Sequence, residues 1–126
     1  MVRSALVHVI KETIRRNRVY NGMFYLQITR GVAKRDHFFP THSVHPSIVV
    51  TAKSMNRDAG EARAEKGIAV ITVPENRWDR VDIKSVGLLP NVLAKQQAKE
   101  RGAIEAIFVD PDGTIKEGAA TNFWIV

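Results

Sequence analysis

The 126-residue sequence contains no cysteine. Disulfides, thiolate catalysis and cysteine-bound metal are therefore excluded, and the absence is compatible with a reducing cytoplasm, the expected location. No apolar run approaches the ~20 residues needed to span a bilayer. The first residues lack a secretory apolar region, so neither membrane nor export signal is expected. Aromatic residues are sparse, at 7%, and are not interleaved with the basic ones. That scarcity bears on the charge. Lys and Arg outnumber Asp and Glu by 19 to 13, giving a formal net charge of +6. Such a balance permits a nucleic-acid surface, but a strand-binding site also needs aromatics on which bases stack. The densest basic group, Arg15, Arg16 and Arg18, stands at the end of a probable-helix pattern, where cations favour the negative pole of the helix dipole. A solvated helix end is the preferred reading, and no nucleic-acid partner is expected.

What is present is the composition of an ordinary globular protein, 44% hydrophobic and 25% charged. Leu6, Val9, Ile10, Thr13 and Ile14 recur at helical spacing, predicting a helix over 4–17. Asn21-Gly22 marks a turn, and the alternating stretch 23–29 reads as a strand ending at Gly31. A loop with three histidines, His37, His42 and His45, leads to a second strand over 47–53. Residues 54–66 are polar and nearly free of large apolar groups, which suits a linker. A strand is predicted over 67–73, and a helix from Leu88, with Pro90 in its first turn and Gly102 as its stop. Strands over 105–110 and 114–117 flank a Pro111-Asp112-Gly113 turn, and a last strand is expected over 122–126. This order favours an α/β class of the α+β type, with mostly antiparallel pairing near the hairpins.

Three groups of residues could carry chemistry. Lys84 lies in strand or loop texture, flanked by the apolar Ile83 and Val86. Apolar neighbours would partly dehydrate its amine, and desolvation frees a neutral amine for attack on a carbonyl. On this feature alone a solvated surface lysine is the better reading, since most lysines are surface groups. Glu117 precedes the small residues Gly118, Ala119 and Ala120, then Thr121, so a flat ligand or phosphate could approach the backbone closely. Alone, a Glu-Gly pair at a strand end is usually just a turn. Tyr25 and Gln27 share one face of the first predicted strand. Arg35 and His37, folded back over that face, would form a carboxylate receptor, because a guanidinium offers a bidentate fork. From these residues alone an exposed loop arginine and histidine is the preferred reading. His42 and His45 read as ordinary loop residues, and no metal site is expected.

The run Arg77-Trp78-Asp79-Arg80-Val81-Asp82-Ile83-Lys84-Ser85, with Leu88-Leu89-Pro90-Asn91 after it, resembles the cofactor-lysine region of the fold-type IV pyridoxal-phosphate transaminases. Glu105-Ala106-Ile107, Asp112-Gly113 and Glu117-Gly118-Ala119-Ala120-Thr121-Asn122 resemble the segments that follow it there, in the same order. The resemblance implies pyridoxal 5′-phosphate as cofactor, with Lys84 joined covalently to it. It further implies that Glu117 bonds the ring nitrogen and that Ala120 and Thr121 lie beside the cofactor.

Thr29-Arg30-Gly31 followed by Arg35 and His37, with Tyr25 upstream, resembles the carboxylate trap of the D-amino acid branch. This implies transamination between D-amino acids, such as D-alanine or D-glutamate, and 2-oxo acids by a ping-pong route. Because the trap reaches across a subunit interface in that family, a homodimer is implied. In family terms, residues 1–57 correspond to part of the small N-terminal domain, 58–66 to the interdomain linker, and 67–126 to the start of the cofactor-binding domain. Family members have further sequence on both sides, supplying an arginine, a helix N-terminus and a threonine for the cofactor phosphate. Weak or no cofactor retention, and no activity, is accordingly expected of the segment alone. Ala119 and Ala120 depart from relatives that carry hydroxyls there. The alternatives are an L-branched-chain aminotransferase or an aminodeoxychorismate lyase of the same fold. From another class, the alternative is a non-catalytic basic binding module.

Overall fold

Leu6, Ile10 and Ile14 recur every four residues and form the partly covered stripe of α1 (Arg3–Arg16) in the computed structural model, which describes residues 2–125. Glu12 receives both Arg15 and Arg16 near its end, at 2.7 and 2.8 Å. Their hydrogen bonds pull the exposed Glu12 carboxyl down to about 2. The chain then reverses through Arg18, whose φ is +53°. Next come β1 (Gly22–Thr29) and β2 (Ser47–Ser54), paired antiparallel from Gly22 opposite Ser54 to Thr29 opposite Ser47. Helix α1 lies against β2. At Gly31 (φ +106°) the loop passes so close to its own far end that a Cβ would stand 2.0 Å from the His45 carbonyl oxygen.

The chain divides into two compact units, 1–61 and 62–126, and the division falls inside α2 (Arg57–Lys66). Within the polar stretch 54–66, which reads as a linker, residues 57–66 are helical. Asn56 Oδ1 accepts from the Ala59 amide at 3.0 Å, and Arg57 pairs with Glu61 at 2.6 Å. Capping and a side-chain pair one turn apart support a helix that has no apolar face to announce it.

The second unit is a three-stranded sheet in the order β3-β4-β5, from β3 (Val70–Pro74), β4 (Glu105–Val109) and β5 (Ile115–Gly118). Strands β3 and β4 are parallel, and β4 and β5 antiparallel. A parallel pair needs a crossover, which α3 (Leu89–Glu100) supplies while packing on both strands. Its end is capped as the glycine suggested. Gly102 has φ +72°, its amide bonds Lys99 O at 3.1 Å, and Ala103 N bonds Ala98 O at 2.9 Å. Ala94 and Ala98, one turn apart, let α3 approach the sheet, where they meet Val73, Ala106, Phe108 and Ala119. Phe108, at 1% exposure, is the largest fully buried side chain. Its burial stabilises the unit by roughly 1.5–3 kcal/mol.

The strand expected over 122–126 does not form over 122–125, the part within the described residues. After β5 the backbone folds back through Gly118–Thr121, with Gly118 N donating to Thr121 O at 2.9 Å. That turn carries the next residues off the line along which β5 pairs with β4.

Candidate functional site

The segment 75–88 leaves β3 at its carboxyl end, where ligands commonly bind beside parallel strands. Glu75 N extends the pairing by donating to Val109 O at 2.9 Å. A turn closed by Ile83 N on Arg80 O (3.0 Å), and by the Arg80–Asp82 ion pair at 2.7 Å, then delivers Lys84. Lys84 is exposed, and the apolar neighbours that were expected to dehydrate it face water themselves, Ile83 at 46% and Val86 at 87% exposure. Adjacency in sequence does not cover an amine when the backbone is an irregular loop. Lys84 nevertheless lines a concavity of about 500 Å³ together with Glu117, Arg77, Trp78, Pro90 and Asn91. A second concavity, of about 870 Å³, shares Lys84, Glu117 and Asn91 and adds the residues 118–122. Both volumes fall in the range of roughly 300–1,000 Å³ usual for small-molecule sites.

Glu117 is fixed from below by an arginine to which no sequence pattern had assigned a role. The Arg77 guanidinium donates to Glu117 Oε1 and, through Nε, to both Glu75 oxygens at 2.8 and 3.0 Å. Its Cζ lies 4.5 Å from the centre of the Phe108 ring, on the core. The side chains of Arg77 and Glu75 are only 11% and 14% exposed, and that of Glu117 is 42% exposed. Hydrogen bonds from Arg77 hold the Glu75 carboxyl below its ordinary value, against the opposing effect of burial. Two carboxylates thus share one guanidinium and leave one negative charge uncompensated. The available signal was an acid and an arginine two apart at a strand end; nothing local points to a partner forty positions away.

The turn after Glu117 is gripped from three directions. Ala119 N donates to Ala106 O at 2.8 Å, Asn91 Nδ2 donates to Ala119 O at 2.8 Å, and Thr121 Oγ1 donates to Glu105 Oε2 at 3.1 Å. A Cβ on Gly118 would stand 2.3 Å from Thr121 Oγ1, so this position accepts only glycine without rearrangement. Ala120 and Thr121 are exposed at the lip of the larger concavity. Glu105, whose carboxylate opens the otherwise apolar run Glu-Ala-Ile-Phe-Val, is the sequence's visible anomaly in this strand.

In the first unit, the Tyr25 hydroxyl donates to Gln27 Oε1 at 3.3 Å, which agrees with their sharing a strand face. The His37 amide donates to Asp36 Oδ1 at 2.7 Å, and Arg30 lies over the Phe39 ring at 4.4 Å. Tyr25, Arg35 and His37 are all exposed, and among the described residues they do not bond to one another. Among the described residues, no group of three or more His, Cys, Asp or Glu could hold a metal ion, and no helix is long and apolar enough to cross a membrane.

Comparison with known proteins extends the picture. The amino-transferase class IV family profile matches residues 2–126. A D-alanine aminotransferase of Staphylococcus haemolyticus is 45% identical over 121 residues, covering 96% of this chain and 42% of the relative. Another, from Bacillus licheniformis, is 39% identical over 116 residues, covering 92% of this chain and 40% of the relative. The chain thus spans about two fifths of the length of the curated relatives it matches. Among solved structures, the Escherichia coli branched-chain amino acid aminotransferase superposes with a TM-score of 0.73 at 22% identity, covering 94% of this chain and 40% of that one. At such identity the likeness speaks for the fold alone, and the fold is that of the fold-type IV aminotransferases. A profile match over nearly every residue, joined to this fold, shows that the chain belongs to the class IV aminotransferases.

Proposed function

We propose that this chain is part of a pyridoxal-phosphate aminotransferase that moves the amino group of D-amino acids, D-alanine and D-glutamate among them, to 2-oxo acids. The observation that carries the reading is the presence of one amine, Lys84, and one anchored carboxylate, Glu117, on the wall of a single concavity. A flat heterocycle fits that wall. Gly118, Ala119 and Ala120 offer backbone and methyl groups rather than bulk, and the uncompensated charge of Glu75, Arg77 and Glu117 favours a protonated ring nitrogen. When bound, the cofactor supplies an electron sink for charge developing at the substrate Cα. Glu117 would hold the ring nitrogen, with Arg77 orienting that carboxylate. Lys84 would hold the cofactor through its amine, and the same amine would move a proton at the substrate Cα. Its exposure leaves the amine free to reach both ends of that path.

The choice of D-amino acids draws on Tyr25, Arg35 and His37 as receptor for the substrate carboxylate, and on relatives named D-alanine aminotransferase. A cytoplasmic homodimer belongs to the same proposal: absent cysteine suits a reducing compartment, and in this family the carboxylate trap reaches a neighbouring subunit's site. The test is Lys84→Ala in the protein that carries these residues. Loss of the visible absorbance of bound cofactor, which borohydride otherwise bleaches, is the expected outcome. Normal turnover by Lys84→Ala would refute the assignment.

A further inference from the structure

Among the described residues, Glu105 is the one buried charged residue in the core of the second unit, at 3% exposure. A lone carboxylate there would cost several kcal/mol, so its bonds must repay its desolvation. They come from its own chain neighbour, from α3 and from the turn after β5. Ala106 N donates to Oε1 at 2.9 Å, Lys95 Nζ stands 3.2 Å from Oε1, and Thr121 Oγ1 donates to Oε2 at 3.1 Å. Lys95 also donates to Ile104 O at 2.5 Å, which fixes the ammonium on the strand entry. The carboxyl is held below its ordinary range; burial pushes it up, but the hydrogen bonds from Ala106, Lys95 and Thr121 outweigh that.

The geometry is specific to one purpose. Of the two carboxylate oxygens, one is tied to rigid backbone and the other reaches out to a single exposed hydroxyl. That hydroxyl closes a turn whose first residue follows Glu117 directly, and whose Gly118 amide bonds the Thr121 carbonyl at 2.9 Å. An apolar residue at position 105 would fill the core as well and avoid the desolvation, but could not hold Thr121.

We propose that Glu105 is a positioning residue, which through the Thr121 hydroxyl sets the Glu117–Thr121 turn in the shape that receives the cofactor. This rests on the reading of the site as a pyridoxal-phosphate site, and the test separates the two. Thr121→Val removes the hydroxyl at nearly constant volume, Thr121→Ser keeps it, and Glu105→Gln removes the charge. Amide hydrogen exchange of Gly118 and Ala119 is read in the protein without cofactor, and pyridoxal-phosphate affinity is read by absorbance titration. A hydrogen bond to a charged acceptor is worth about tenfold or more. Thr121→Val should therefore raise exchange at both amides, and the cofactor Kd, by roughly tenfold. Thr121→Ser should behave as wild type, and Glu105→Gln should add little once Thr121 is valine. Unchanged exchange in Thr121→Val overturns the proposal whatever the cofactor does. Faster exchange with an unchanged Kd overturns it too, since the turn would then be merely structural. All three variants are made in the protein that carries these residues; if its wild type takes up no cofactor while exchange responds as stated, the positioning stands and the functional reading falls.

Discussion

Removing the Arg77 side chain should be the most damaging single change in the second unit. In Arg77→Met the stem still covers Phe108, but Glu75, 14% exposed, loses every donor from that side chain. Breaking a largely buried pair on one side costs about 3–5 kcal/mol. The Glu117 half, 42% exposed, adds little because water screens it. Taking about 3 kcal/mol, and about 4–8 °C per kcal/mol for a domain of 60–100 residues, Tm should fall by some 12–24 °C.

The pH dependence separates this account from simple loss of packing. In the wild type, the folded Glu75 carboxyl sits below its unfolded value of ~4.3. Its contribution is fully present above that value and is lost as the pH falls through the lower folded one. In Arg77→Met only the residue-77 amide (2.9 Å) still donates to the Glu75 carboxyl against the effect of burial, so its folded value rises relative to wild type and acidification toward ~4 should narrow the gap between variant and wild type. Thermal melts monitored by circular dichroism from pH 3 to 8 provide the assay. Adding Glu75→Gln to Arg77→Met should recover part of the loss, because the largely buried unpaired charge is then removed and only the more exposed Glu117 is left. An Arg77→Met protein within about 0.5 kcal/mol of wild type, with an unchanged pH profile, would refute the reasoning.

Gly118→Ala should destabilise the second unit by about 1–3 kcal/mol and loosen the adjacent turn, as its methyl meets Thr121 Oγ1; a wild-type urea midpoint would contradict this. The Glu12 carboxyl should titrate near 2 by NMR, so its support of α1 is complete above an ordinary carboxylate value and fades only as the pH falls toward 2. Titration at the ordinary value would show that the two arginines do not hold it. Arg35→Ala, made in the protein that carries these residues, should raise KM for D-alanine at least ~10-fold while leaving cofactor affinity within ~2-fold, and a parallel loss of both would remove Arg35 from the carboxylate trap.

The elements with chemical punctuation were legible in the sequence. Pro90 and Gly102 bracket α3, and Asp112-Gly113 marks the β4–β5 connection, because each residue type imposes a backbone geometry by itself. Helix α2 was hidden because it buries nothing, and apolar periodicity is the signal that sequence reading depends on. The end of the chain was read as a strand from Phe123, Trp124 and Ile125, but a strand needs a neighbour, and composition does not say whether one is in reach. Lys84 and Glu117 stood out through their resemblance to a family pattern. Arg77, Glu75 and Glu105 act through partners distant in sequence, and only the folded arrangement brings those partners to them.

The narrow neck formed by Gly31 against His45 has a consequence for how this protein could change. Between those two points the residues 32–44 are nearly all solvent-facing, and the eight-residue pairing of β1 with β2 is complete without them. Doubling the length of such a span costs only about 0.6 kcal/mol in closure entropy. Insertions or replacements there would leave the hairpin intact, so the stretch carrying Arg35 and His37 can vary in sequence and length with little penalty to folding.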